Sequence, residues 1–312
     1  MKVTALLVSH DGARWLPAVL DGLEAQTRPP DRILAVDTLS KDASVDILQA
    51  RLGAERVASA GGRSSFGAAV RAGLGYLPPA TEDDWIWLLH DDSAPAPDAL
   101  EALVAAAESA STVSVLGPKL REWPSLRRLL EVGATISGTG RRETGLERGE
   151  YDQGQHDGIR DVLAVNTAGM LVRRELLERL GFDNRLPAFG NDIDFGWRAA
   201  RAGHRTLVVP DAVVFHVEAA HRGLRRTPVT TYNLHRAERS AALYTLLVNG
   251  SLRALPFQVL RLFLGSLIRA FGFLLVRAPR EAFDELAALT ATYLRPGRIM
   301  EGRTERRKTA TL

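Results

Sequence analysis

The chain has 312 residues, enough to bury a large core as one domain or as one domain with an appendage. It has no cysteine, which excludes disulfide scaffolds, thiolate metal sites and thiol nucleophiles and fits a cytoplasmic location. Residues 219–312 carry 16 Lys and Arg against 6 Asp and Glu, a net charge of +10, which leaves residues 1–218 at −7. A basic carboxyl-terminal segment on an acidic body predicts contact with an anionic surface, either membrane lipid or nucleic acid.

The first forty residues have the pattern of a βαβ unit. Val3–Ser9 and Ile33–Val36 are apolar runs that predict buried parallel strands. Between them, apolar residues recur at helical spacing, which predicts a helix over residues 13–26. Both strands end in polar residues. The pattern predicts an α/β fold with a parallel sheet.

The stretch Asp84–Ser93 is an apolar run that ends in two adjacent carboxylates, Asp91 and Asp92. We expect a buried strand whose carboxyl end lies at the sheet edge where open α/β folds bind ligands. Adjacent carboxylates repel each other unless a cation is present, and hard divalent cations prefer oxygen ligands. The stretch therefore predicts a metal-dependent site for an anionic ligand such as a diphosphate. A plain Asp-Asp turn followed by a helix cap is the alternative.

The middle of the chain gives weaker signals. Residues 98–108 predict a helix with Asp98 as its capping residue, and Val113–Gly117 predicts a further strand. Residues 138–149 are rich in Gly, Arg and Glu and predict a mobile hairpin or loop. Such a segment either faces an acceptor or is a solvated insertion, and the sequence leaves both open.

A second charged cluster begins at Asn191. Asn191 or Asp192 can cap a helix, and the helix dipole favours an ionised carboxylate in the first turn. Asp194 and Arg198 are four residues apart, so an ordinary surface ion pair is one interpretation. Trp197 is either a core residue or a surface on which a sugar can stack.

The carboxyl-terminal segment is predicted to be helical from about residue 231. Residues 256–276 are strongly apolar, but Arg261, Arg269 and Arg277 fall on one side, within an arc of about 160°. A membrane-spanning helix needs ~20 apolar residues and rarely tolerates two arginines in its middle, so an interfacial helix fits better. A helix packed on the body, with its arginines in solvent, is the alternative. The apolar character and the lack of a recognition motif argue against nucleic-acid binding, and residues 303–312 predict a disordered tail.

Three segments in order, Val8–Asp11, Gln26–Pro30 and Val36–Ser44, resemble the start of a family 2 glycosyltransferase. His90–Asp92 then falls where that family has its Asp-Xaa-Asp motif. The chain is most similar to the bacterial rhamnosyl- and galactofuranosyl-transferase-like branch, which builds cell-envelope glycans. The resemblance implies a GT-A-type α/β fold, with a mostly parallel central sheet flanked by helices and a Rossmann-like nucleotide-binding half. It would make residues 1–221 the catalytic domain and residues 222–312 a basic, helical appendage.

The resemblance also implies a donor site. Four residues at strand ends would bind the nucleotide of the donor: Ser9, Asp11, Asp37 and Asp91. Asp92 is the family's metal-binding acid, and a histidine at the position of His216 often completes the site in this family. The implied cofactor is Mn²⁺ or Mg²⁺, bridging the diphosphate of the donor.

Asn191–Asp194 resembles the Glu-Asp-Xaa-Asp motif of the family. Asp192 would then be the catalytic base, with Asp194 as the alternative, and the following Trp197 and Arg198 would bind the acceptor. The implied reaction is inverting transfer of a sugar from a UDP- or dTDP-linked donor to a glycan or lipid-linked acceptor, in cell-envelope polysaccharide synthesis. The basic tail would hold the enzyme on the anionic inner face of the plasma membrane.

Two other functions stay open at this stage. His90 and Asn191 stand where the family has acids, which keeps open a degenerate, non-catalytic module that binds membrane. A nucleotidyltransferase would also use carboxylates and a metal, but its Gly-rich, basic first loop is missing from Val8–Gly12.

Overall fold

The computed structural model describes residues 1–61, 65–110, 112–225 and 234–310. The predicted helix start near residue 231 lies outside these ranges. The described strands are β1 Lys2–Ser9, β2 Arg32–Asp37, β3 Val57–Ser59, β4 Asp84–His90, β5 Ser93–Pro95, β6 Val113–Glu122, β7 Leu129–Glu131, β8 Thr135–Ile136, β9 Arg142–Glu143, β10 Arg160–Asp161, β11 Leu171–Arg173 and β12 Arg205–His216. The described α-helices are α1 Leu16–Glu24, α2 Ser44–Leu52, α3 Phe66–Gly75, α4 Ala99–Ser109, α5 Arg174–Leu180, α6 Asn191–Arg201, α7 Leu234–Asn249, α8 Leu255–Leu275, α9 Pro279–Tyr293 and α10 Pro296–Ala310.

One large sheet organises the molecule, in the order β10-β12-β6-β11-β4-β1-β2-β3. The run β4-β1-β2-β3 is parallel throughout, as predicted for the nucleotide-binding half. The other half is mixed, because β11 is antiparallel to both β4 and β6 while β12 is parallel to β6. The α/β fold is confirmed, and the sheet as a whole is mixed.

The two central strands are buried on both faces, which explains their nearly continuous apolar sequences. On β1 and β4, Leu7 and Leu89 pack into the core on one face, and Leu6 and Leu88 into the core on the other. Each buried leucine contributes roughly 1.5–3 kcal/mol relative to an exposed one. This burial fixes the register, which pairs Ser9 with Asp37 and Val8 with His90. The polar strand ends therefore meet at one edge of the sheet.

Several predicted boundaries shift in the structure. The first helix spans Leu16–Glu24 rather than residues 13–26, because residues 12–15 form a turn before Pro17. Asp98 does precede α4, but its side chain makes no capping hydrogen bond. The Gly-, Arg- and Glu-rich segment forms the small hairpin of β8 and β9 over its first part.

The prediction of a disordered tail over residues 303–312 is wrong for the described part, because α10 continues to Ala310. Ile299 packs against the apolar residues of α7, and buried arginines add polar contacts. Arg303 donates hydrogen bonds to the carbonyls of Leu247 and Gly250, at 2.5 and 2.9 Å, at the carboxyl end of α7. Cations and donors stabilise that end of a helix, where carbonyls lack intrahelical partners. A composition-based prediction does not see such contacts.

Helix α8 is the apolar helix expected from the sequence, and it is mostly uncovered. It is the one described helix long and apolar enough to cross a membrane, and only 17% of its most apolar 18-residue window is buried. Phe257, Ile268 and Phe271 are each at least 60% exposed. The inner side of α8 packs on α7 and α9.

Candidate active site

A cavity of about 750 Å³ opens beside the carboxyl ends of β4 and β12. Its size is typical of a small-molecule site. The walls come from the end of β4, the β8–β9 hairpin, the start of α6, the segment after β12, and the helices α7, α8 and α9. The carboxyl-terminal helices therefore form part of this cavity.

Two histidines and one aspartate form a compact cluster on the cavity wall. The ligand atoms of His90, Asp92 and His216 all lie within 4.8 Å of one another. His216 Nε2 is 3.2 Å from Asp92 Oδ1, while His216 Nδ1 is buried without a hydrogen-bond partner among the described residues. Two imidazoles and a carboxylate are a donor set that can hold a divalent transition-metal ion. Asp92 and His216, predicted as ligands, lie together, and His90 joins them.

The charges in this cluster are strongly coupled. Burial alone would raise the pKa of Asp92, but the adjacent His216 holds it far below its usual range. Burial opposes protonation of His216, yet Asp92 raises its pKa above the ordinary value. Burial, with the nearby charge of His216, lowers the pKa of His90 to about 3, so His90 is neutral at pH 7. A neutral imidazole is the form that binds a metal.

The four residues predicted to bind the nucleotide lie at the ends of strands or in the loops that follow them, at one edge of the parallel half-sheet, beside the cavity rather than in its lining. Asp37 accepts hydrogen bonds from the Ser40 hydroxyl at 2.5 Å and the Ser40 amide at 3.0 Å. Asp11 Oδ1 accepts a hydrogen bond from the amide of Lys41 at 2.6 Å. Both acids therefore tighten the loop after β2.

Asp91 has its own cation, which the sequence did not indicate. Its carboxylate accepts from the Ser9 hydroxyl at 3.3 Å, the His10 amide at 2.7 Å and Arg225 Nη2 at 2.5 Å. Burial raises the pKa of Asp91 to about 6 despite the nearby Arg225. Arg225 lines the cavity and also lies over the ring of Trp15, 5.0 Å from its centroid. Arg225 thus lies where the cavity and the predicted nucleotide loops meet.

Asp192, at the start of α6, also lines the cavity, and its carboxylate pairs with Arg142 of the hairpin. Arg142 Nη2 is 2.6 Å from Asp192 Oδ2 and 2.7 Å from Glu131 Oε2. Burial raises the pKa of Glu131, and Asp192 adds to that effect. Arg142 and Glu131 were not predicted. The Arg-rich composition of the hairpin was the only signal, and it did not distinguish a site from a solvated insertion.

Asp194, Trp197 and Arg198 do not line the cavity. Asp194 is fully buried, and Arg198 Nε, at 2.8 Å, and Arg306 both bind its carboxylate. Arg198 is also held by the carbonyls of Leu180 and Gly181, both at 2.7 Å. Trp197 packs with α7 and α8 in the core of the carboxyl-terminal helices. These positions argue against the predicted acceptor contacts of Trp197 and Arg198 and against Asp194 as the base.

Comparison with known proteins identifies the family of the chain. Residues 2–236 match the family model described as "Glycosyltransferase like family 2". The chain is 26% identical over 254 residues to an N-acetylglucosaminyl-diphospho-decaprenol L-rhamnosyltransferase of Mycobacterium tuberculosis, covering 73% of this chain and 79% of the relative. It is 27% identical over 208 residues to a galactofuranosyltransferase of Mycolicibacterium smegmatis, covering 64% of this chain and 66% of that one.

A solved structure matches the same part of the fold. Glucosyl-3-phosphoglycerate synthase from Mycobacterium tuberculosis, in complex with Mn²⁺, UDP and glucosyl-3-phosphoglycerate, superposes with a TM-score of 0.52 at 19% identity. The match covers 80% of this chain and 79% of that chain. At this identity the likeness concerns the fold, and it confirms the GT-A-type architecture.

Proposed function

The chain belongs to the family 2 glycosyltransferases, and from that premise we propose that it is a metal-dependent, inverting enzyme. It transfers a sugar from a UDP- or dTDP-linked donor to a hydroxyl of its acceptor. One observation carries the proposal: Asp192 and the cluster of His90, Asp92 and His216 line the same cavity. A base and a diphosphate-binding centre are the two groups that such a transfer needs.

The chemistry is a single displacement. The acceptor oxygen attacks the anomeric carbon of the donor from the face opposite the leaving group, and Asp192 takes the proton of the attacking hydroxyl. The bond between the anomeric carbon and the diphosphate oxygen breaks, and the nucleoside diphosphate leaves with that electron pair. Because only one displacement occurs, the anomeric configuration inverts.

The metal cluster and the strand-end residues would hold the donor. A divalent cation bound by Asp92 and His216, with His90 as a third ligand, would supply Lewis-acid stabilisation of charge on the departing diphosphate. Ser9, Asp11, Asp37 and Asp91 would bind the nucleoside. Mn²⁺ or Mg²⁺ is the proposed ion, in line with the Mn²⁺ and UDP of the solved neighbour.

The acceptor is proposed to be lipid-linked, in the synthesis of a cell-envelope glycan. The rhamnosyltransferase relative is named for an acceptor that joins a sugar, a diphosphate and a polyprenol. In this chain, α8 presents exposed apolar residues, and the segment from residue 219 onwards has a net charge of +10 from 16 basic and 6 acidic residues. Both features suit an enzyme at the anionic inner face of the plasma membrane.

We propose that the chain divides into a catalytic domain, residues 1–221, and a basic, helical segment, residues 222–312, that differ in composition. The active site crosses this boundary, because α7, α8 and α9 line the cavity. We propose that the catalytic unit functionally includes these helices.

The substitution Asp192→Asn tests the assignment of the base. It removes the proton acceptor with little change in shape, so we expect transfer to fall about 10²- to 10⁴-fold while nucleotide binding is kept. Asp194→Asn is the matched comparison on the same helix and should act through stability rather than through the pH dependence of turnover. Unchanged turnover of folded Asp192→Asn protein would contradict the assignment of Asp192 as the base.

A further inference from the structure

A cluster of cations lies on the cavity wall formed by the carboxyl-terminal helices. Arg239 of α7 and Arg269 of α8 both bind one oxygen of Glu285 on α9. Arg239 Nε is 2.8 Å and Arg269 Nη2 is 2.9 Å from Glu285 Oε1. All three residues line the cavity together with His235. Two guanidinium groups share one carboxylate, so the cluster has a net positive charge before His235 is counted.

The cluster has hydrogen-bonding capacity that the described residues do not use. Glu285 is 0% exposed, and its Oε2 has no hydrogen-bond partner among them. His235 Nε2 is likewise buried without one and lies 3.9 Å from Glu285 Oε2, too far for a hydrogen bond. Buried polar groups are nearly always satisfied, so unused groups on a cavity wall indicate a ligand that supplies the partners.

Arg269 is the member of this cluster best placed to bind a ligand. Arg239 already donates to Glu285, to the Thr139 carbonyl at 2.6 Å and to the Ser266 hydroxyl at 3.0 Å. Arg269 donates from Nε and Nη2 to Glu285 alone. Within the described chain no hydrogen bond occupies Arg269 Nη1. Glu285 therefore fixes the guanidinium and leaves one edge of it available.

The outer side of the same helix is apolar. Ile268 is 71% exposed and Phe271 is 60% exposed, on either side of Arg269 in sequence. One turn of α8 thus presents a guanidinium to the cavity and apolar side chains to the outside. A molecule with an anionic head and a long hydrocarbon chain matches both surfaces at once.

We propose that Arg239, Arg269 and His235 form the binding site for the phosphate or diphosphate group of a polyprenyl-linked acceptor. The hydrocarbon chain leaves along α8, and the sugar extends towards Asp192 in the same cavity. Glu285 orients the two guanidinium groups, and its Oε2 accepts a hydrogen bond from a hydroxyl of the bound molecule. The inference deepens the proposed function and rests on it.

The test is equilibrium binding of geranyl diphosphate, measured by calorimetry with saturating Mn²⁺ and whichever of UDP and dTDP the protein binds. Saturation with nucleotide keeps the probe out of the donor site. We expect Arg269→Gln to weaken binding at least tenfold and to leave nucleotide affinity unchanged. Arg277→Gln removes the same charge at an exposed position just beyond the carboxyl end of α8 and should change binding less than twofold. Arg269→Lys retains a cation, so its affinity for geranyl diphosphate should lie between those of wild type and Arg269→Gln. If the glutamine variant does not fold, a loss of affinity in Arg269→Lys relative to wild type serves as the test.

Two comparison probes separate the possible ligands. Geraniol, which has no phosphate, should bind at least tenfold more weakly than geranyl diphosphate. Inorganic diphosphate, which has no hydrocarbon chain, should also bind at least tenfold more weakly than geranyl diphosphate. Equal binding of inorganic diphosphate would overturn the lipid-linked assignment, and equal loss in Arg269→Gln and Arg277→Gln would overturn the site. Failure of the wild-type protein to bind any nucleotide would count against the proposed function itself, which distinguishes the two failures.

Discussion

At the scale of residues, the decisive contact is between Asp192 and Arg142. The guanidinium lies between two buried carboxylates, those of Asp192 and Glu131, and pairs with both of them. It also draws the β8–β9 hairpin onto α6. Arg142 is therefore a positioning residue for the proposed base.

Arg142→Ala leaves two acids facing each other without a cation. Two carboxylates that share a buried site share a proton, so the base is partly lost near neutral pH. We expect kcat to fall about 10- to 100-fold, with partial recovery as the pH is raised, because the shared proton then dissociates. The measurement is kcat against pH for wild type and variant.

Two controls decide whether the effect is electrostatic. Arg141→Ala removes the neighbouring arginine of the same hairpin and should leave the pH profile unchanged. Adding Glu131→Gln to Arg142→Ala removes the competing acid and should restore part of the activity at neutral pH. A double variant no more active than Arg142→Ala would show that Arg142 acts by shape alone.

The geometry of α6 explains which site predictions agree with the structure. An α-helix turns about 100° per residue, so Asp192 and Asp194 lie about 200° apart, on opposite sides. Asp192 faces the cavity, and Asp194, with Arg198 one turn later, faces the protein interior. This argument was available from the sequence. The partnership of Asp192 with Arg142 was not, because it depends on where a hairpin with little apolar pattern folds back.

At the scale of elements, α8 is apolar on its exposed side and carries Arg269 on the side that lines the cavity. We expect binding to vesicles that contain anionic phospholipid, and the double substitution Ile268→Glu and Phe271→Glu should reduce it at least tenfold. Each buried large apolar side chain contributes roughly 1.5–3 kcal/mol, which is enough for that loss. Vesicle flotation is the measurement. Tyr76→Glu, at a side chain 63% exposed on the catalytic body, is the control, and an equal effect there would contradict a specific membrane face.

Buried ion pairs help to hold helix α10 on the rest of the protein. Arg306 reaches Asp183 Oδ2 at 3.0 Å and also binds Asp194. Removing one partner of a buried pair leaves an uncompensated charge and costs about 3–5 kcal/mol. Arg306→Ala should therefore lower the free energy of unfolding by about 3 kcal/mol in chemical denaturation, whereas Thr304→Ala, at an exposed position of the same helix, should have little effect.

The pH dependence of this docking follows from Asp183. Burial opposes its ionisation, but Tyr244, the Arg185 amide and Arg306 bind the carboxylate and lower its pKa to about 2. Its ordinary value is 3.8, so the folded state binds this proton less readily than the unfolded state. Its contribution to stability is present above pH 4 and is lost as the pH falls towards 2. The difference in Tm between wild type and Asp183→Asn should shrink over that range, and a constant difference would contradict the assignment.

At the scale of the whole molecule, the parallel half of the fold was predictable because its buried strands are recognisable in the sequence as apolar runs with polar ends. The motif order then placed Asp92 and His216 in one site, and they lie 3.2 Å apart. The contribution of α7, α8 and α9 to the cavity was not predictable. Their apolar pattern indicates burial or membrane contact but carries no information on which side of the catalytic body they cover.

The most direct test of the account is calorimetric titration of UDP and dTDP into the wild-type protein with Mn²⁺ and then with a chelator. If the cluster of His90, Asp92 and His216 holds the cation that binds the donor diphosphate, one nucleotide binds with Mn²⁺ and its affinity falls about 10- to 100-fold on chelation. Asp92→Asn with Mn²⁺ should then behave like the chelated wild type. Binding that is indifferent to the chelator would contradict the metal site, and no binding of either nucleotide by folded protein would contradict the transferase itself.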